Sequence, residues 1–240
     1  MTDLCERLDA DGFALLEGVL SADETDAARR SCAAALAHPA AASALLIRDG
    51  GQPHGARNLL RLWPGSIALG RHPRLRPVLL RLLDPAAGLV RGLYFDKPPG
   101  TTWALPWHRD TTIAVKAHGG FTTYCKPTIK AGVPHVEAPA ALMAQMLTAR
   151  VHLDDMTDRN GPLRVVPGSH HPGGSANERP PVAVHCRAGD VLLMRPLLLH
   201  ASGHCDPEYQ GHRRIVHLEL APEVGLSDGY EWQDFVGVTG

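Results

Sequence analysis

From residue 89 onward the chain breaks into short apolar runs, each closed by Gly, Pro, Asn or Asp: LVRGLYFDK, WALPWHRDTTIAVK, LTARVHLDD, LRVVPGSH, VAVHCRAGDVLLMRPLLLHAS and RRIVHLELA. Runs this short, bounded by turn formers, read as strands. Their close spacing points to an antiparallel sandwich or barrel. The first part of the chain reads differently. GFALLEGVL is a short strand, and Ser21 and Glu24 are spaced as a capping box before the Ala-rich SADETDAARRSCAAALAH, which predicts a helix. HPRLRPVLLRLLD predicts a second helix, with polar text around DGGQPHGARN between the two. The expected class is α+β: a single domain over residues 1–240, helical to about residue 88, buttressing a β-core over about 89–221. The stretch 111–147 is the least regular and reads as a substrate-side loop.

Lys and Arg number 24 and Asp and Glu 25, for a net charge of -1. Nucleic acid as the main partner calls for a basic excess that this chain lacks. No long apolar span appears, and MTDLCERLDADG carries acids where a signal peptide carries basic and apolar runs. The expectation is a soluble, cytoplasmic protein with a small-molecule substrate and no membrane partner; oligomeric state is open. The five cysteines are dispersed without a CxxC and read as reduced thiols.

Fourteen histidines are present. Two carry a pattern. On a strand, positions i and i+2 project to one face, so His108 and Asp110 in WHRD point together while Trp107 and Arg109 point away. An imidazole and a carboxylate make two of the three ligands of a 2-His-1-carboxylate site for non-haem Fe(II). HxD alone is common. His200, closing the apolar run of GDVLLMRPLLLHAS, is the candidate third ligand. Ser202 shares its face. Arg213 and Arg214 open RRIVHLELA, which can return antiparallel to the His200 strand, and a guanidinium there can grip a dicarboxylate in bidentate fashion. Strand alternation does not choose between the two arginines. Arg150 begins a strand and could face the pocket. His135 could face substrate, and His152 and His217 read as satisfied core histidines. The rest read as turn or solvated residues.

In order along the chain, DGFALLEGVLSADE, YFDKPPGTTWALPWHRD, LTARVHLDDMTDRNGPLRVVPGSHHPG and LLLHASG…HRRIVHLELA resemble the phytanoyl-CoA dioxygenase family of Fe(II)- and 2-oxoglutarate-dependent oxygenases. The resemblance implies a double-stranded β-helix, a jelly-roll or cupin-like core. It implies His108, Asp110 and His200 as iron ligands and an arginine after the distal histidine for the far carboxylate of 2-oxoglutarate. That role maps to Arg213, with Arg214 kept open because the spacing is about two residues longer than usual. Lys97 matches a family lysine that can reach the cosubstrate, and Ser202 could add a donor. Position 109, Arg here, is usually Gln, on the side away from the metal. The implied cofactors are Fe(II), 2-oxoglutarate and O2, with succinate and CO2 released. Asp110 favours hydroxylation over halogenation, since halogenating relatives lack the carboxylate. Two other classes stand beside this one: a cupin-like isomerase or hydrolase using another divalent metal, and a non-catalytic binding module of the same fold.

Overall fold

The computed structural model describes residues 2–47, 53–100, 103–120, 123–173 and 179–239. An eight-stranded antiparallel sheet runs, in spatial order, Phe13–Leu16, Val191–Met194, Leu147–His152, Ile215–Ala221, Gly88–Phe95, Pro53–Ala56 and Leu45–Ile47, with Val236–Gly237 pairing with Gly88–Phe95 off that path. A second sheet orders Val182–Val184, Leu163–Val165, His200–Ser202 and Leu105–His108. The two sheets share a buried cluster that includes Leu163, Val165, Leu192, Met194 and Ile215. This is the antiparallel two-sheet core expected from the strand pattern, in the jelly-roll form that the family resemblance implies.

Every residue of Leu147–His152 and Ile215–Ala221 is buried. Alternation divides them between two environments. Leu147, Ala149, Val151, Val216, Leu218 and Leu220 join Leu8, Ala28, Cys32, Leu75 and Leu79 of the helices in one apolar cluster. At the intervening positions stand Arg150, His217 and Glu219, which line a cavity between the sheets. The helix Ala22–Ala37 starts at the predicted box: Ser21 N–H donates to Glu24 at 2.8 Å and Glu24 N–H donates to Ser21 Oγ at 3.3 Å. Its buried Thr25, Ala28 and Cys32 fall on one helical stripe. Among the described residues no helix is long and apolar enough to cross a membrane.

Three expectations change. A helix, Thr2–Asp11, precedes the first strand and buries Leu8. Around the polar text before the second helix, Leu45–Ile47 and Pro53–Ala56 pair and extend the sheet edge; residues 48–52 of that text lie outside the described residues. Proline is tolerated at Pro53 because it is the first residue of its strand. The stretch 111–147 is not a loop. It forms a three-stranded sheet, Thr112–Ala114, Val133–Glu137 and Cys125–Lys130, followed by the helix Ala140–Gln145. Lys130 pairs with Val133 across a two-residue turn whose Ala131 and Gly132 have φ of 50° and 75°. An alanine at a positive-φ position, where Asn, Asp or Gly is usual, hides this hairpin from a reading of turn signals.

Candidate active site

Leu105–His108 and His200–Ser202 are neighbours in the smaller sheet, and their register sets His200 opposite His108. The two ring centroids lie 4.1 Å apart. Asp110 is clamped beside them by its backbone N–H, which donates to the Pro196 carbonyl at 2.9 Å. Asp110 Oδ1 lies 3.8 Å from His108 Nε2, and Oδ2 lies 3.8 Å from His200 Nε2. One ligand atom from each residue falls within 4.8 Å of the other two, the one such cluster of three or more among the described residues.

The rings are held from behind. His108 Nδ1 lies 2.8 Å from the Pro106 carbonyl and His200 Nδ1 2.8 Å from that of Leu198. A carbonyl only accepts, so each Nδ1 carries the proton and each Nε2 presents a lone pair. Burial pushes His200 down to about 4, which keeps its ring neutral. Burial pushes Asp110 up, but His200, His217, His108 and Arg91 outweigh it and hold the carboxyl below its ordinary value. Asp110 Oδ2 is buried without a hydrogen-bond donor among the described residues. An unpartnered carboxylate oxygen facing imidazole lone pairs is a poor arrangement for protein alone and a good one around a divalent cation. Arg109 turns away: its Nε donates to the Leu197 carbonyl and its Nη2 to that of Ser169, both at 2.9 Å. It braces the segment leading into His200.

Arg213 and Ser202 line the same cavity as the triad. Arg213 Nη1 donates to the Gly161 carbonyl, and its Nε has no partner among the described residues. Burial, reinforced by Arg150, pushes Arg213 down to about 9, still charged at neutral pH. Arg214 grips Asp154 instead, with Nε on Oδ2 and Nη2 on Oδ1, each at 2.7 Å. Strand alternation does not distinguish the two; in the structure Arg213 lines the cavity and Arg214 is held by Asp154. Lys97 Nζ donates to the Gly161 and Gly203 carbonyls and lies 3.4 Å from Ser202 Oγ. Gly161, in the NGPL motif, therefore serves Lys97 and Arg213 together. Its φ is +63°, and a Cβ there would meet Lys97 Nζ at 2.7 Å and the Gly203 carbonyl closer still.

The cavity also holds a polar chain that the sequence reading did not assemble. Arg91 Nη2 donates to Glu219 Oε1, His217 Nε2 lies 3.3 Å from that oxygen, and Arg150 Nη1 lies 3.2 Å from His217 Nδ1. Charged residues at alternate positions of otherwise apolar strands were the available signal. His217 is satisfied as expected. His152 is not: it is fully buried, and neither ring nitrogen has a partner among the described residues. His135 is buried in the three-stranded sheet with Nδ1 2.9 Å from the Val133 carbonyl.

Residues 8–205 match the family model of phytanoyl-CoA dioxygenase. The chain belongs to the phytanoyl-CoA dioxygenase family. Within it, an ectoine dioxygenase of Sphingopyxis alaskensis is 29% identical over 165 residues, 68% of this chain and 47% of that protein. The chain thus spans about half the length of the curated relative it matches. Among solved structures, EctD from S. alaskensis with bound Fe superposes with a TM-score of 0.72 at 23% identity, covering 92% of this chain and 76% of that one. SnoN, a non-heme alpha ketoglutarate dependent epimerase of nogalamycin biosynthesis, gives 0.68 at 21% identity over 93% and 82%. These likenesses establish the fold of the phytanoyl-CoA dioxygenase family for this chain.

Proposed function

We propose that the chain acts, as one domain over residues 1–240, as a non-haem Fe(II)- and 2-oxoglutarate-dependent dioxygenase that hydroxylates a small molecule. The observation that carries this reading is Asp110, its Oδ2 without a hydrogen-bond partner among the described residues, its two oxygens each lying 3.8 Å from one of two Nε2 lone pairs. His108, Asp110 and His200 would hold Fe(II) and leave the remaining positions for other ligands. When bound, Fe(II) with 2-oxoglutarate and O2 supplies the oxidising power: one oxygen atom enters the substrate, the other enters succinate, and CO2 leaves.

The rest is done by the protein's own residues. The Pro106 and Leu198 carbonyls hold the two imidazoles in register with Asp110. Arg213 receives the far carboxylate of 2-oxoglutarate, with its Nε as the open donor, and Ser202 adds a hydroxyl. Lys97 is a positioning residue, acting through Ser202 and through the Gly161 carbonyl that it shares with Arg213. Leu93, Phe95, Leu105 and Leu163 line the cavity and limit water. With Asp110 in place, no ligand position is left for a halide, which favours hydroxylation. Five free cysteines agree with a reducing, cytoplasmic setting.

Anaerobic titration with Fe(II) and 2-oxoglutarate tests this. The expected result is a weak visible charge-transfer band, followed on admitting O2 by oxygen uptake and succinate. Metal binding with no band and no succinate would assign the site to a metal-dependent isomerase or hydrolase instead.

A further inference from the structure

Three guanidiniums, from Arg91, Arg150 and Arg213, line the cavity against two carboxylates, Asp110 and Glu219. Most of these have work already assigned. Asp110 faces the imidazoles, Arg213 the cosubstrate end, and Arg150 meets His217 at 3.2 Å. Glu219 accepts from Arg91 and from His217. Arg91 has donors left over. Its side chain is only 10% exposed, and its Nε and Nη1 have no partner among the described residues. Burying two unsatisfied donors of a charged group costs stability, which is offset once an acceptor binds there.

Two further cations lie within electrostatic reach of Arg91. The Pro53–Ala56 strand pairs with Gly88–Phe95, setting Ala56 opposite Tyr94, and Arg57 follows directly. Asn58 Nδ2 donates to the Ala131 carbonyl at 3.1 Å, which ties this corner to the turn of the hairpin that carries Lys130. Lys130 Nζ lies 3.4 Å from Thr112 Oγ1 and forms no ion pair among the described residues. The Arg57 guanidinium has no hydrogen-bond partner among them either. Burial, and after it the charge of Arg91, holds both Arg57 and Lys130 below their ordinary values. The acids these two feel are Glu219 and, for Lys130, Asp110. Both acids are already engaged. His135, in the same hairpin, is pushed down to about 4 by burial and stays neutral, so it neither adds to nor offsets the charge.

Loading the site does not remove this excess. The two carboxylates of 2-oxoglutarate are matched by the metal and by Arg213. We propose, on the dioxygenase reading above, that Arg57, Arg91 and Lys130 anchor an anionic group of the substrate, a carboxylate or a phosphate monoester, so that the substrate is an organic anion with an apolar body. The anchor shares the cavity with His108 and Asp110 through Arg91. It therefore turns the rest of a short substrate toward the metal, along the wall of Leu93, Phe95 and Leu105.

Calorimetric titration of hexanoate, hexyl phosphate and hexanamide tests the anchor. Each is titrated into protein loaded with redox-inert Ni(II) and saturating 2-oxoglutarate, and into the metal-free protein. Wild type is compared with Arg57→Gln and Lys130→Gln. One or both anions should bind, and hexanamide at least about 10-fold more weakly, the scale of a lost charged hydrogen bond. Each variant should weaken the anion by about 10-fold while Ni(II) and 2-oxoglutarate bind as before. The tighter of the two anions names the group. Equal binding of hexanamide, wild-type affinity in both variants, or no anion binding in either form overturns the anchor. Failure of the dioxygenase reading looks different: Ni(II) and 2-oxoglutarate do not bind, and the metal-free titration still decides the anchor from the contrast between variants and wild type.

Discussion

Lys97 and Arg213 exchange backbone hydrogen bonds just beyond the ends of two neighbouring strands, 3.2 Å in each direction, and their side chains then meet again at the Gly161 carbonyl. This pairing puts Arg213 on the cavity side and leaves Arg214 to Asp154. The two arginines should therefore fail differently. Arg213→Gln should raise the KM for 2-oxoglutarate by about 10–100-fold, the equivalent of one charge-assisted hydrogen bond lost. Arg214→Gln should leave that KM unchanged and lower the Tm, because it breaks a two-point grip on Asp154. Steady-state kinetics and thermal melts on the two variants check this, and a reversed pattern would move the cosubstrate role to Arg214.

Gly161 is the hinge of the same corner. A side chain at φ +63° costs about 1–2 kcal/mol on backbone grounds alone. Here a Cβ would also press on Lys97 Nζ and the Gly203 carbonyl. Gly161→Ala should lower the Tm by at least about 2–4 °C. It should also weaken 2-oxoglutarate binding, since the added Cβ pushes Lys97 off the Gly161 carbonyl that it shares with Arg213. A Tm drop with unchanged 2-oxoglutarate affinity would separate the fold from the site.

The His108–Asp110 pair was legible because the two are two residues apart on a strand; His200, 90 residues further on, was joined to them only by the resemblance to the family. Arg213 and Arg214 were not separable, because both faces of Ile215–Ala221 are buried and alternation gives neither one to solvent. Only Asp154, 60 residues away in sequence, tells them apart. Arg91 and Glu219 were missed for the same reason, since their pairing spans 128 residues. The Cys125–Lys130 hairpin was missed because Ala131 occupies a positive-φ turn position. What depended on short-range pattern could be read; what depended on strand register could not.

Asp110 makes the sharpest test of the metal site. Asp110→Ala removes the only carboxylate of the three-residue cluster. The variant should lose more Fe(II) affinity than the roughly 10–100-fold that follows from removing a supporting hydrogen bond of a ligand. Succinate formation should fall below detection while the far-UV circular dichroism is unchanged. His200→Ala should match it. Wild-type turnover in either variant would rule out the triad.

His152 supplies a pH signature of the fold. Burial, then Arg150 and Arg213, holds its ring well below the ordinary 6.5. The unfolded chain protonates this imidazole as the pH drops below about 6.5, and the folded chain does not. Its contribution is therefore harmless above that value. Below it, stability falls by about 1.4 kcal/mol per pH unit, until the folded-state value is reached. Urea unfolding of the metal-free protein at about pH 7.5 and about pH 5.5 reads this slope, with other histidines adding to it. His152→Leu removes the term and leaves theirs, so the difference between the two proteins isolates it. Leucine also replaces two ring nitrogens that lack partners among the described residues. The variant should then be at least as stable as wild type at neutral pH and more stable at the lower pH. Parallel pH profiles would mean that the ring finds water or a partner in solution, and that burial does not hold it neutral.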